Sequence, residues 1–433
     1  MISRVKIQDS KKRRLFKNTV YLYILVFSGY FFALITVPYQ TRVLGPELFG
    51  KIGWAMATMT YFSLFIEFGY LISATEKIAL HQEERKEIEK IVGAVTVNKL
   101  IAVAGGFAII LVLSLTWSKM NDDPWFFILC YFSAVIQSFM LDFFYRGIEQ
   151  MQLITIVSVA IRAFFTVCIF IFLHEPADYW VVPALNLAGG LLAAAYLYYY
   201  MIKKLGYKFV IPDAAYCLAI MKHSAGFFYS RVASTVYTST NIFLLGFVYP
   251  VQSVQIGAYT SADKLTSVMK RFFSPIADSL YPYMVKNKDF KLLKKMLMFL
   301  MPPIILGSSI IIYFATPLCV LVFGPEFELA GPVLQLMMGI VIITLPVYLL
   351  GFPTLSALGG AKAVNASVIV ASVIDVTLLV ALYLTGTFTL FTVVITSLIT
   401  ELIILIYRIV AIRYYWKRFN DKEVTSAETN KQD

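Results

Sequence analysis

Charged side chains recur within two apolar stretches of this 433-residue chain, and they are the residues best placed to do chemistry. The two stretches begin near residues 223 and 256. If each forms a helix with about 100° per residue, the polar side chains of each stretch fall on one face of that helix. An ionisable group in a membrane span normally faces a bundle interior or water, so neither face is expected to meet lipid. The first face comprises Ser224, Arg231, Thr235 and Thr238, and the second comprises Asp263, Ser267, Lys270, Ser274 and Asp278, with Lys264 and Arg271 beside it.

Two interpretations of these faces are open. In the first, Arg231, Lys264 and Lys270 line a hydrated cavity and attract an anionic substrate, because both arginine and lysine bind phosphate. In the second, the neighbouring acids neutralise these cations in ion pairs that only fix helix packing. The acids expected to balance charge, or to couple transport to an ion, are Asp263, Asp278 and Asp375.

Other ionisable residues also lie within apolar stretches. Arg162 and Asp375 are equally compatible with a mutual ion pair and with separate partners. Lys99 is expected to extend its ammonium group to the cytoplasmic surface. The remaining residues of this kind, expected to make helix-end or interhelical contacts, are Glu67, Asp142, Glu401 and Arg408.

Several enzymatic and cofactor-binding classes are excluded. The stretch 45–52, GPELFGKI, nearly matches a phosphate-binding loop, but an isoleucine replaces the hydroxyl residue that would hold magnesium, and no strand precedes it. The three histidines are too far apart for a metal site. No nucleophile motif is present, and the four isolated cysteines are interpreted as small apolar fillers. We therefore expect no cofactor, no metal and no enzymatic activity.

Composition predicts the elements that must position these residues. Hydrophobic residues make up 59% of the chain and charged residues 15%, against about a quarter charged in soluble domains. Unbroken apolar runs of about 20 residues predict spanning helices rather than barrel strands. We predict an all-α membrane protein with about 12 transmembrane helices, which begin near residues 18, 51, 91, 124, 152, 179, 223, 256, 294, 330, 363 and 388.

The distribution of lysine and arginine predicts the orientation. Basic residues collect in alternate connections between the apolar runs, which places both termini in the cytoplasm. This pattern also explains the net charge of +11 without nucleic-acid binding. The predicted domains are an N-terminal six-helix bundle (1–202), a cytoplasmic linker (203–222), a C-terminal six-helix bundle (223–412) and a cytoplasmic polar tail (413–433).

Short motifs distributed over nearly the whole chain resemble those of the polysaccharide-biosynthesis flippases. These flippases form the O-antigen transporter family of the multidrug/oligosaccharidyl-lipid/polysaccharide exporter superfamily. The motifs are PYQTRVLGPELFG at 38–50, EFGY at 67–70, RGIEQM at 146–151, IGAY at 256–259, ADKL at 262–265 and FGPEF at 323–327.

The resemblance implies two six-helix bundles that form a V around a central cationic cavity. It also implies export of undecaprenyl-diphosphate-linked oligosaccharide, an O-antigen or other repeat unit, from the cytoplasmic to the outer leaflet of the bacterial inner membrane. Expected partners are this lipid-linked substrate, membrane lipids, a polysaccharide polymerase, a chain-length regulator and H⁺ or Na⁺ as coupling ion. The residues expected to contact the substrate head group are Arg231, Lys264, Lys270, Arg42 and Arg162.

Two other functions compete with this one. A drug/cation antiporter of the same superfamily would favour an acidic cavity for organic cations. A membrane-bound sugar polymerase or ligase would need a sizeable outside loop with catalytic arginine or histidine, which the sequence lacks.

Overall fold

A computed structural model describes the backbone of residues 2–429 and the side chains of residues 17–418, apart from those at 230, 233, 234, 237 and 238. Within this range every regular element is a helix, which confirms the all-α prediction. The side chains of four consecutive basic residues near the N-terminus (Lys11, Lys12, Arg13 and Arg14), of Thr238 and of the predicted tail beyond residue 418 lie outside the described residues.

The chain divides into two compact units, Met1–Thr235 and Val236–Asp433. The division falls inside one helix, after the segment 203–222 that we predict to be the linker. The first unit contains α1 (Ile2–Glu67), α2 (Tyr70–Leu80), α3 (Arg85–Thr116), α4 (Pro124–Val135), α5 (Asp142–Gly147), α6 (Met151–Phe172), α7 (Val181–Tyr199) and the first part of α8 (Ala214–Val248).

The second unit begins in the last part of α8, and α13 is its central helix, packed against α9, α11 and α15. A π-helical turn, Leu350–Ser356, continues α13. The helices of this unit are α9 (Val254–Arg271), α10 (Ser274–Asn287), α11 (Phe290–Tyr313), α12 (Ala315–Phe323), α13 (Ala330–Leu349), α14 (Ala361–Leu384) and α15 (Leu390–Thr429).

Within the described residues, nine helical segments are long and apolar enough to cross a membrane. The first of them, Lys17–Leu80, has 64 residues, which is about 96 Å of helix and far more than the 30 Å of a bilayer core. It contains two predicted spans, which meet at a bend at Gly45 (φ 69°, ψ 172°). The chain is therefore a multi-pass membrane protein, while the number twelve stays a prediction.

The predicted starts agree with helix starts at most positions beyond residue 120. Helices begin within a few residues of 124, 152, 179, 256, 294, 330, 363 and 388. The helices α9 and α10 are not among the nine apolar segments. Helix α10 has 14 residues, which is too short to cross the bilayer core, and α9 carries Asp263, Lys264, Lys270 and Arg271, which lower its hydropathy. The last part of α8, Ser239–Val248, is apolar but short.

The eighth predicted span is two helices rather than one. Helix α9 ends at Arg271, Phe272 and Phe273 form a turn, and α10 starts with Pro275 in its first turn. Proline disfavours helical geometry in the residue before it and has no N–H to donate, so it fits a helix start. The prediction that Ser274 and Asp278 continue the polar face of one helix is therefore wrong.

The segment 205–213 is packed against the first turns of α3. The backbone N–H of Lys208 donates to Glu89 Oε1 at 2.7 Å, and Arg85 donates to the Leu205 carbonyl. A Cβ at Gly93 would lie 1.7 Å from the Val210 carbonyl oxygen. Only glycine therefore allows this close approach of α3 and the segment.

Candidate functional site

A polar cavity of about 280 Å³ lies within the first unit. It contains four ionisable side chains, among them Arg231, which the sequence predicts as a cavity residue. Its lining residues come from α1 to α5 and α8: Ser63, Glu67, Leu71, Lys99, Ala134, Gln137, Ser138, Met140, Asp142, Phe143 and Arg231.

Two helix interruptions direct backbone and side chains into this cavity. Helix α1 ends at Glu67 because Phe68 and Gly69 have positive φ values of 39° and 77°. Near the end of α4 the chain tightens into a 3₁₀ turn, Ile136–Phe139, before Asp142 starts α5. Such interruptions leave backbone carbonyls without intrahelical partners, and they put Glu67 and Asp142 into the same cavity.

Lys99 is buried in the cavity, with 3% of its surface exposed. Its ammonium nitrogen lies 3.3 Å from Glu67 Oε1, donates to the Ser138 carbonyl and lies 5.4 Å from the centre of the Phe143 ring. These contacts replace the hydration of the charge. The prediction that Lys99 extends to the cytoplasmic surface is therefore wrong.

Asp142 is close to a second cation at the start of α5. Arg146 Nη2 lies 3.9 Å from Asp142 Oδ2, one helical turn away. The Nε atom of Arg146 is buried and has no hydrogen-bond partner among the described residues. The cavity and its margin therefore bring together the side chains of Glu67, Lys99, Asp142, Arg146 and Arg231.

One part of the predicted polar face of α8 lines the cavity, and another part packs against α2. Arg231 is partly buried and lines the cavity, whereas Ser224 is fully buried and shares a 2.6 Å hydrogen bond with Ser73. A Cβ at Gly69 would lie 2.9 Å from Phe227 Cβ, so the backbones approach closely there. Only the part of the face that includes Arg231 therefore borders the cavity.

Two further predicted binding residues, Arg162 and Arg42, lie elsewhere in the first unit. Arg162 on α6 donates from Nη1 to the Leu25 carbonyl at 2.9 Å and to Ser28 Oγ at 3.1 Å. Arg162 therefore has partners within its own unit. Arg42 is exposed on α1, three residues before the bend at Gly45.

An apolar groove of about 480 Å³ also lies within the first unit. Two of its lining residues are sequence neighbours of cavity residues: Phe68 follows Glu67, and Asn98 precedes Lys99. A Cβ at Gly105 would have no neighbour within 4 Å. The groove is lined by Tyr61, Phe62, Phe65, Ile66, Phe68, Tyr70, Asn98, Ala102, Gly105, Gly106, Ile109 and Met221.

In the second unit, Lys270 has an acidic partner that the sequence did not predict. Its ammonium nitrogen lies 2.8 Å from Glu401 Oε1 on α15. The Glu401 side chain is 5% exposed, so neutralisation by Lys270 accounts for an acid in an apolar helix. Neither Asp263 nor Asp278 makes this ion pair.

The other predicted residues of α9 and α10 are more accessible. Lys264 is exposed and Asp263 is partly buried. Asp278 is exposed and accepts a 3.0 Å hydrogen bond from Ser274. These three residues therefore do not form one enclosed site with Lys270.

Asp375 is buried in the second unit, with 1% of its surface exposed. Its Oδ1 accepts a 2.9 Å hydrogen bond from Thr400 on α15. Asn241 on α8 donates to Ser397 Oγ at 2.7 Å, one turn away from Thr400. The sequence predicted a role for Asp375, but the amide of Asn241 and the hydroxyls of α15 gave no signal, because such groups are common in packed membrane helices.

The chain matches one protein family and two named relatives in sequence. The family described as "Polysaccharide biosynthesis protein" matches residues 15–288. A protein named "Putative O-antigen transporter" from Escherichia coli (strain K12) is 27% identical over 285 residues, which cover 63% of this chain and 66% of that protein. A protein of the same name from Shigella dysenteriae is 26% identical over 326 residues, which cover 74% of this chain and 81% of that protein.

Solved structures show the same fold at low sequence identity. A multidrug resistance MATE family transporter of the MOP superfamily, in an inward-facing conformation, has a TM-score of 0.68 and 14% identity, and the match covers 91% of this chain and 96% of that one. The lipid II flippase MurJ, in an inward closed conformation, has a TM-score of 0.63 and 12% identity, with 92% and 87% covered. This chain thus has the fold of MOP-superfamily transporters and belongs to the polysaccharide biosynthesis protein family.

Proposed function

We propose that this protein is a flippase for a lipid-linked oligosaccharide. It carries an undecaprenyl-diphosphate-linked repeat unit, of O-antigen or another surface polysaccharide, from the cytoplasmic to the periplasmic leaflet of the bacterial inner membrane. The step is an alternating-access movement without covalent chemistry. The family match, the names of the two relatives and the fold shared with a lipid II flippase support this proposal.

The observation that carries the proposal is the charged cavity of about 280 Å³ among the helices of the first unit. A diphosphate is a compact anion that guanidinium groups bind through paired hydrogen bonds. Arg231 borders the cavity and is the first candidate to contact the diphosphate. Lys99, Glu67 and Asp142 also line the cavity and are suitable hydrogen-bond partners for the hydroxyl groups of a sugar.

The other predicted head-group residues have different accessibility. Lys264 and Arg42 are exposed, so a substrate can approach their side chains from solvent. Lys270 and Arg162 are held in contacts with Glu401 and with the Leu25 carbonyl. We propose that these four residues act after Arg231, during movement of the head group.

The apolar groove suits the chain of the carrier lipid. Its residues on α3 extend from Asn98 to Ile109, or about 16 Å at 1.5 Å per residue. That length is about half of the bilayer core. We propose that part of the isoprenoid chain lies in the groove while the head group lies in the polar cavity.

Direction is proposed to come from an ion gradient, because the sequence offers no ATP site. H⁺ and Na⁺ are the candidate ions, and the predicted coupling acids are Asp263, Asp278 and Asp375. Asp375 is the most buried of the three. Consumption of the product by a polysaccharide polymerase, with a chain-length regulator, would add a further driving force.

The direct test is translocation in vesicles that contain the purified protein and labelled undecaprenyl-diphosphate-oligosaccharide. The expected result is transport by the unaltered protein and about tenfold or greater loss in Arg231→Ala, since a charged hydrogen bond contributes about 1.5–3 kcal/mol. Lys286→Ala, at an exposed site on α10, is the matched control and should transport normally.

Two outcomes would contradict the proposal. Normal transport by both Arg231→Ala and Lys270→Ala, at normal protein levels, would remove the cationic binding site. Efflux of a cationic dye without translocation of the lipid-linked sugar would instead identify a drug/cation antiporter.

A further inference from the structure

Six exposed cations lie at one end of the second unit, on two helices that contact each other there. Three come from the first turns of α11 and three from α15, and neither 290–295 nor 413–418 contains an acidic residue. We call these six residues the basic patch: Lys291, Lys294, Lys295, Arg413, Lys417 and Arg418. Clusters of about four to eight basic residues beside a membrane span are typical of sites for anionic lipid head groups.

An aromatic contact joins the two halves of the basic patch. The rings of Phe290 on α11 and Trp416 on α15 meet edge to face, with 4.6 Å between their centres. Residues three or four positions apart are neighbours on a helix surface, so Lys294 lies beside Phe290 and Arg413 lies beside Trp416. The basic patch is therefore one surface across two helices.

The lysines of α11 lie directly before the part of this helix that faces lipid. The segment Phe290–Tyr313 is long and apolar enough to cross a membrane, and Met298 and Phe299 are 67% and 77% exposed. Lys294 and Lys295 precede them by four residues, which is one turn on the same face and about 6 Å along the axis. The lysines are therefore at the depth where lipid phosphates follow the acyl chains, a layer toward which lysine side chains extend.

Exposed aromatic side chains on α15 support the same depth. Tyr414 and Trp416 are 63% and 39% exposed, and tyrosine and tryptophan are enriched where the bilayer meets water. An acidic protein surface would also neutralise the cations, but it would not account for aromatic and apolar side chains exposed beside them. A lipid head group accounts for both.

We propose that the basic patch binds the head group of an anionic phospholipid. The phosphodiester lies between the start of α11 and the end of α15, where lysine and arginine can both contact its oxygens, and the acyl chains lie along Met298 and Phe299. In the predicted orientation this lipid belongs to the cytoplasmic leaflet. Binding of this lipid does not depend on the proposed transport function.

Trp416 provides a local reporter for the test, because it is the only tryptophan of the second unit. The purified full chain is reconstituted in phosphatidylcholine bilayers with a fixed fraction of brominated lipid, either phosphatidylglycerol or phosphatidylcholine. Bromine quenches nearby tryptophan, and the difference between the wild type and Trp416→Phe isolates the Trp416 signal. We expect stronger quenching by the brominated phosphatidylglycerol.

A variant without the lysine charges of α11 tests the basic patch itself. Lys291→Gln, Lys294→Gln and Lys295→Gln together should lower the preference for phosphatidylglycerol over phosphatidylcholine at least about fivefold, because one lysine near an anionic surface contributes about that factor. The three positions are exposed, so the variant should fold normally, and its unfolding temperature checks this.

The matched control removes three exposed lysines from the first unit, through Lys203→Gln, Lys204→Gln and Lys208→Gln. The net charge of the chain changes by the same amount, but the basic patch is intact, so the preference at Trp416 should stay. Inorganic phosphate, added at constant ionic strength, should not reverse the quenching.

Four outcomes would overturn the proposal. Equal quenching of wild-type Trp416 by both brominated lipids would favour an acidic protein as the occupant. An undiminished preference in the α11 variant would exclude its lysines from the site. An equal loss in the control would indicate attraction to overall charge, and reversal by inorganic phosphate would identify a soluble anion as the ligand.

Discussion

Lys99 and Glu67 form an ion pair inside the first unit, with 3.3 Å between the ammonium nitrogen and a carboxylate oxygen. Both line the cavity proposed for the head group. Removing one partner of a buried pair leaves the other charge uncompensated, at a cost of about 3–5 kcal/mol, whereas replacing both can be nearly neutral.

We therefore expect Lys99→Met to lower the unfolding temperature strongly, and Lys99→Met with Glu67→Gln to recover much of the loss. Thermal unfolding of the purified variants measures both effects, with Lys286→Met as the exposed control. A double variant as unstable as the sum of the single variants would show that the two residues act independently.

A charge exchange distinguishes two roles for Lys270. Lys270→Glu alone places two acids together, at 2.8 Å in the present geometry, and should lower both stability and transport. Lys270→Glu combined with Glu401→Lys should restore stability, because the pair is rebuilt in reverse. If Lys270 also contacts the substrate, transport stays low in the stable double variant; recovery of both properties would assign Lys270 to packing alone.

Gly93→Ala should destabilise the first unit, because the new Cβ would lie 1.7 Å from the Val210 carbonyl oxygen. The backbone must shift to relieve that overlap, and overpacking of this kind costs about 1–3 kcal/mol. Gly105→Ala on the same helix meets open space and should be neutral or stabilising, since alanine favours helix by up to about 1 kcal/mol. Size-exclusion profiles and unfolding temperatures compare the two, and equal stability would contradict the packing of 205–213 on α3.

Filling the apolar groove should slow transport without unfolding the protein. Gly105→Phe projects a ring into the groove where nothing lies within 4 Å. Gly307→Phe on α11, where the added side chain also meets open space, is the matched control. We expect a lower rate of vesicle translocation only for Gly105→Phe at equal unfolding temperatures; equal rates would remove the isoprenoid chain from the groove.

The sequence predicted helix positions better than it predicted partners. Apolar runs locate helix starts because about 20 such residues have few alternatives in a bilayer. Glu401, by contrast, is 131 residues from Lys270, and no local pattern identifies which acid neutralises which base. Lys99 shows the same limit, because its position in an apolar run fits both a surface lysine and a buried one.

Helical spacing also failed as a guide where a proline interrupts the helix. Charge spacing placed residues 263–278 on one face of a single helix, which Pro275 and Pro282 were expected to bend, but α9 ends at Arg271 and α10 starts at Ser274. Arg231 lines the polar cavity of the first unit, while its predicted role in substrate binding stays a prediction. Asn241 was missed, since a lone amide in an apolar helix has many uses.

The bend at Gly45 joins two long arms of α1 without an intervening loop. Its φ of 69° and ψ of 172° suit glycine alone, and Pro46 directly after it fixes the next φ. Because no loop separates the two arms, we expect a tilt of one arm to move the other. Two or three flexible residues inserted at this bend should uncouple the movements of the two arms.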